Sequence, residues 1–425
     1  MSTDAACADR VVVHAGHLLD VDAEKMLNDQ AVTIVDGRVQ SVASWSAAAV
    51  GDARQIDWSA YTVVPGLMDM HTHLIGDIES NDPTAPLKMT AQEDVLIGAQ
   101  HARDTLYAGF TTVRDVGTYR AFGDVALRDA IAKGWVPGPR MFVAGAYITI
   151  PGGGGEVTGL PPGTIVPPEF RRGVSSNETE VRKNIDFILD HGADFIKVIA
   201  TGAVLTPGTE PGKSEFTEEQ LRAAVEEAAK HGTFVAAHAH GAQGIKDATR
   251  AGVRSIEHGS LIDDEGVALM AKTGNWLVAD IYNGDYIDSV GRKEGWSADI
   301  LRKNTDTTDA QREGFRKAVK AGVHIAFGTD AGVYPHGDNA RQFAYMVKYG
   351  MTPLQAIQAA TIESARLLRN EKEIGSIAPG KSADMIAVAG DPLANIRLLE
   401  HVQGVIKEGK LECGPGAAKC HDASP

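Results

Sequence analysis

Eight short apolar runs, each separated from the next by a helical or loop stretch, constrain this chain more than any other feature. The first leads through Leu67-Met68-Asp69-Met70; the others cover residues 110–115, 140–144, 195–199, 234–237, 255–258, 276–279 and 324–330. Parallel strands covered on both faces read as continuous apolar runs rather than as alternating patterns. Helical stretches lie between them. Thr217-Glu218-Glu219-Gln220, for example, is a capping-box start followed by an apolar face at Leu221, Ala224, Val225 and Ala228. Eight strand–helix units in about 250 residues is the size of a (β/α)8 barrel. A doubly wound sheet would need a glycine-rich first turn for phosphates, and none follows the first strand.

The flanks have a different texture. Residues 10–64 and 383–412 carry short strands and turns, including Asp36-Gly37 and Gly390-Asp391-Pro392, without long helical patterns. The expected architecture is α/β: a (β/α)8 TIM barrel over residues 65–382, with a small β-sandwich domain assembled from residues 1–64 and 383–425.

Composition removes several functions. A net charge of −15 argues against a nucleic-acid partner, because phosphate binding needs a basic surface. No apolar stretch reaches the roughly 18 residues of a membrane-spanning helix. The segment Met1-Ser2-Thr3-Asp4-Ala5-Ala6-Cys7 lacks the blocks of a signal peptide. That fits a cytoplasmic protein or an exported one whose signal has been removed. Three cysteines make no disulfide framework. Cys413 and Cys420 either close a short loop or stand as two unpaired thiols.

Barrel chemistry sits where strands end, and the unusual polar residues gather there. His71-Thr72-His73 ends the first strand, and residues two apart on a strand share a face. His238 and His240 close another strand, His258 follows Ser255-Ile256-Glu257, and Asp330 closes the last. Lys197 lies between Ile196 and Val198. Burial lowers a lysine's pKa, and a neutral amine can add carbon dioxide to become an anionic carbamate able to bridge two metals.

Val64-Pro65-Gly66-Leu67-Met68-Asp69-Met70-His71-Thr72-His73, Ile196-Lys197-Val198, His238-Ala239-His240-Gly241, Ile256-Glu257-His258-Gly259 and Gly328-Thr329-Asp330-Ala331-Gly332 together resemble the amidohydrolase superfamily. The resemblance is greatest to the binuclear branch with Xaa-Pro dipeptidases, other metal-dependent carboxypeptidases and ochratoxin-degrading amidohydrolases. It implies two divalent metal ions, with zinc the expectation. His71, His73 and Asp330 would hold one, His238 and His258 the other, and a carbamate on Lys197 would bridge them. Asp330 would also shuttle protons, and His240 would orient the substrate or polarise its carbonyl. The implied reaction is attack by a metal-bridging hydroxide on a dipeptide or N-acyl amino acid amide, releasing the C-terminal residue. Ochratoxin A, split into its acyl part and phenylalanine, has the same scissile geometry. The branch also implies a homo-oligomer, up to an octamer. The alternative is a mononuclear cyclic-amide hydrolase or deaminase of the imidazolonepropionase type.

Other signals are weaker. Residues 151–159 are glycine-rich but lack the Lys-Ser/Thr of a phosphate loop, and read as an active-site loop. Val204 and Leu205, after the Lys197 strand, are expected to line the pocket, and Tyr147 and His336 to help bind a substrate carboxylate. His14, His17, His101, His191, His231, His324, His401 and His421 fall off the rim. No Gly-x-Ser-x-Gly elbow supports a serine hydrolase.

Overall fold

The computed structural model describes residues 10–76 and 82–421; the segment Met1–Cys7 lies outside them. Seven strands from the two ends of the chain form one continuous sheet. They are β1 (Arg10–Asp20), β2 (Lys25–Val35), β3 (Arg38–Ser44) and β4 (Arg54–Pro65), with β14 (Met385–Val388), β15 (Val402–Lys407) and β16 (Lys410–Cys413) from the C-terminal part. Their order is β16-β15-β14-β4-β1-β2-β3, so β4 and β14 join the two ends of the chain. The expected Asp36-Gly37 hairpin is present, with φ positive at both residues, as a type I′ turn requires. Side chains alternate as a pleat demands. Met385 and Ala387 join Val13, Trp58 and Ile406 in the sheet's own core, whereas Ile386 and Val388 join the barrel core.

The barrel strands are β5 (Leu67–Thr72), β6 (Phe110–Asp115), β7 (Arg140–Val143) with β8 (Tyr147–Ile148), β9 (Ile196–Ile199), β10 (Val235–Ala239), β11 (Ser255–His258), β12 (Trp276–Val278) and β13 (His324–Ile325). The third barrel strand is bent. β7 pairs with β6, the chain then breaks at Gly145 (φ 72°), and β8 pairs with β9. Counting that strand once gives the eight expected. The ring closes where Met70 donates to Phe327 O at 2.8 Å and Thr72 bridges Ala331. The Thr217 capping box forms as expected, starting the helix Glu218–Lys230.

Cys413 and Cys420 are disulfide-bonded. Beyond the bond, His421 N donates to Tyr107 O, and the His421 ring lies where a Cβ on Gly337 would be, so the tail is seated on the barrel. No described helix is long and apolar enough to cross a membrane.

Candidate metal centre

The rim gathers the expected donors into two adjoining groups. His71, His73 and Asp330 present ligand atoms within 4.8 Å of one another, and so do His238, His240 and His258. Asp330 also groups with His258 and Asp280, which places it between the two sets. The His71 and His258 rings are 4.7 Å apart, and the His238 and His258 rings 4.5 Å.

Each imidazole is turned by a partner on its outer nitrogen. His71 Nδ1 lies 2.9 Å from Glu257 Oε2, and His73 Nδ1 lies 2.8 Å from Gly117 O. His258 Nδ1 meets Asp280 Oδ1 at 3.0 Å, and His240 Nδ1 meets Ser260 Oγ at 2.7 Å. His238 Nε2 reaches Gly202 O at 3.3 Å, leaving Nδ1 for the site. Such outer contacts fix ring orientation and tautomer in metal sites. His71 Nε2 is buried and has no hydrogen-bond partner. An inward, unsatisfied nitrogen beside Asp330 Oδ1 at 3.4 Å, among further imidazoles, fits a bound divalent cation.

Asp330 is held from both sides. Its Oδ1 lies 3.3 Å from His73 Nε2, while Oδ2 accepts from Asn283 Nδ2 at 3.0 Å. Burial would raise its pKa, but the His71 and His73 imidazoles hold it well below the carboxylate range. His258 (φ 67°) and Asp330 (φ 60°) both adopt the left-handed backbone conformation, where strained residues at functional sites are often found. Lys197 is 1% exposed, and burial pushes its pKa down to about 8. Burial and the neighbouring His258 push His240 down to about 3, so its ring is neutral.

Beneath the donors lies a buried network the sequence reading missed. Arg114 donates to Glu257 Oε1 at 2.7 Å, to Ser255 Oγ and to the Met70 carbonyl. Although burial pulls the other way, Arg114 and His71 keep Glu257 below the usual carboxylate range. The signal was the one that singled out Lys197: a charged residue inside an apolar strand. Asp280, which also accepts from Gln311 at 2.8 Å, closes the 276–279 run and obeys the same rim rule.

A cavity of about 180 Å³ opens over the donors. Val204 and Leu205 line it as expected, and so do Tyr147 and Gly154 to Thr158 of the glycine-rich segment; the part expected of Tyr147 in binding a substrate carboxylate is a separate matter. Tyr147 Oη donates to Gly117 O at 3.0 Å, beside His73. His336 needs correction. It is buried and not among the residues that line the cavity: Nε2 lies 3.0 Å from His73 O, and its ring stacks on His101, so it braces the rim from behind. Two loops roof the cavity. Thr206 Oγ1 donates to Gly154 O at 2.8 Å, Thr158 Oγ1 to Pro207 O at 2.7 Å, and the buried Lys303 to Thr206 O at 3.0 Å.

Residues 62–411 match the model of the Amidohydrolase family. The chain is 33% identical to the ochratoxinase of Aspergillus niger over 446 residues, covering 98% of this chain and 88% of that protein. The crystal structure of a Xaa-Pro dipeptidase with bound methionine in the active site superposes with a TM-score of 0.89 at 39% identity, covering 95% and 99% of the two chains. The A. niger ochratoxinase structure gives 0.83 at 30% identity, with 96% of each chain covered.

Proposed function

The chain belongs to the amidohydrolase family, and from that premise we propose that it is a binuclear metal-dependent enzyme cleaving the amide bond of dipeptides or N-acyl amino acids. The observation that carries the binuclear part is Lys197, a lysine only 1% exposed that lines the cavity among the imidazoles and that burial pushes toward its neutral form. A lysine so desolvated gives up its proton readily, and its amine can then bond to the carbon of carbon dioxide, releasing one further proton and leaving one negative charge shared over two oxygens. His71, His73 and Asp330 would hold one ion and His238 and His258 the other, with the Lys197 carbamate between them. When bound, a pair of divalent ions, zinc by this donor set, would acidify a water and polarise the scissile carbonyl.

The chain's own groups do the rest. Asp330 has one oxygen at the donors and the other fixed by Asn283, which suits it to take the proton of the attacking water and pass it to the leaving nitrogen. With Ser260 donating to Nδ1, neutral His240 would present an Nε2–H to the substrate carbonyl as its charge develops. The roofing loops limit water over the reacting centre. The relatives named as Xaa-Pro dipeptidase and ochratoxinase support peptide-like and N-acyl amino acid substrates, ochratoxin A among them.

The test is a panel of dipeptides, N-acyl amino acids and their C-terminal amides, given to zinc-replete protein. Release of C-terminal residues, two metals per chain, and a loss of roughly two to three orders of magnitude in Lys197→Ala are expected. Turnover of the amidated substrates equal to that of the acids would remove the carboxypeptidase part. A metal ratio near one with full activity in Lys197→Ala would favour a mononuclear cyclic-amide hydrolase.

A further inference from the structure

One wall of the cavity is a small apolar cluster separate from the barrel core. Ile287, Trp296, Ile300 and Val333 are buried against one another with Leu205 beside them, and all five line the cavity. They come from different places. Ile287 is on the helix Asn283–Glu294, Ile300 on the helix Ala298–Ala321, and Trp296 on the turn between. Leu205 and Val333 come from the loops that follow Lys197 and Asp330.

The turn is shaped around the tryptophan. Trp296 N donates to Gly291 O at 2.8 Å, and a Cβ on Gly291 would lie 3.2 Å from the indole ring. The ring is thus backed closely by helix while the tryptophan also borders the cavity. Cations are scarce here: among the described lining residues Lys197 is the only lysine or arginine, and the cations paired with Asp82 and Glu156, Lys88 and Arg171, lie outside the lining.

We propose that Leu205, Ile287, Trp296, Ile300 and Val333 form a side-chain subsite that selects substrates with a bulky apolar or aromatic group flanking the scissile amide, and rejects small or acidic ones. The inference rests on the amide-hydrolase reading above and names the substrate class of that site. A hydrophobic pocket discriminates by roughly 10- to 200-fold per methylene, so a wall of five such side chains can rank substrates strongly.

The experiment uses two substrate series with zinc-replete full-length enzyme. One varies the acyl side and the other the leaving amino acid, each through Gly, Ala, Leu, Phe and Glu. Wild type is expected to favour Leu and Phe over Gly and Glu by at least about a hundredfold in kcat/KM in one series. Trp296→Ala should cut the bulky substrates by about tenfold or more while moving the glycine substrate less than about threefold. Trp296→Phe should restore most of the preference. Leu205→Ala, on a partly exposed loop position, gives the same reading should Trp296→Ala fold poorly. Indifference to bulk in both series, or equal slowing of all substrates in the variants, overturns the subsite alone. No hydrolysis of either series by wild type overturns the amide-hydrolase reading and the subsite with it.

Discussion

The pairs His71-Thr72-His73 and His238-Ala239-His240 share a spacing and a place at barrel strand ends, yet they are wired differently. Behind the first pair stands a buried charge network, Arg114 to Glu257 to His71, closed by the Gly117 carbonyl on His73. Behind the second stand only neutral groups, the Gly202 carbonyl at 3.3 Å and the Ser260 hydroxyl. A carboxylate on the outer nitrogen raises the basicity of an imidazole and locks its tautomer. His71 is therefore the imidazole of the four best suited to hold a cation. In the second, His240 remains a neutral imidazole that can serve the substrate instead. One spacing thus comes with two different sets of outer partners, and the two proposed roles follow that difference.

The largest effect that would sharpen this contrast is expected from Glu257→Gln. It leaves Arg114 buried without its anion, a loss of about 3–5 kcal/mol in denaturant unfolding. Metal affinity, read by competition with a chelator, should fall 10- to 100-fold as well, roughly what loss of such a partner costs. Unchanged stability and metal affinity would dissolve the distinction between the pairs. A smaller effect is expected from Ser260→Ala, which removes one neutral hydrogen bond worth about 1 kcal/mol. That change should lower kcat/KM roughly fivefold and leave metal content as it was. Loss of a metal ion instead would place His240 among the ligands with His238 and His258, the arrangement their proximity also permits.

The smallest effect serves as a reference that disturbs neither pair. Glu215 accepts from Gly154 N at 2.9 and 3.0 Å, and burial raises its pKa from 4.5 to about 7. A carboxylate raised by folding contributes stability fully below its unfolded pKa, and that contribution is lost as pH climbs through about 7. Glu215→Gln, which mimics the protonated form, should melt close to wild type at pH 5 and above it at pH 8, with unchanged metal content. A difference in melting temperature that does not vary with pH would show that the Glu215 charge does not matter to this loop.

The barrel was legible because its strands are buried on both faces and so read as apolar runs, and because the rim rule turned strand ends into candidate ligands. The bend at Gly145 was not. Residues 140–144 read as one strand, and nothing local shows that pairing passes from one neighbour to the other across three residues. Arg114 and Glu257 were visible as letters but read as strand filler, since only tertiary closure sets them against His71. His336 misled for the converse reason. It follows Asp330 closely in sequence, but the chain carries it behind the rim to the His73 carbonyl. The apolar wall around Trp296 was silent, because Ile287 and Ile300 look like ordinary helix-core positions until the cavity beside them is seen.

The left-handed backbone at His258 and Asp330 bears on how such a site can change over generations. Outside glycine, that conformation is entered most readily by asparagine, aspartate and histidine, and costs other residues roughly 1–2 kcal/mol. Two separate filters therefore act on each position, one set by the chemistry of the site and one set by the turn of the chain. A descendant that abandoned that chemistry would escape the first filter and still meet the second. Drift at these positions is channelled toward asparagine or glycine, and valine or isoleucine would be opposed by the backbone before any question of catalysis arose.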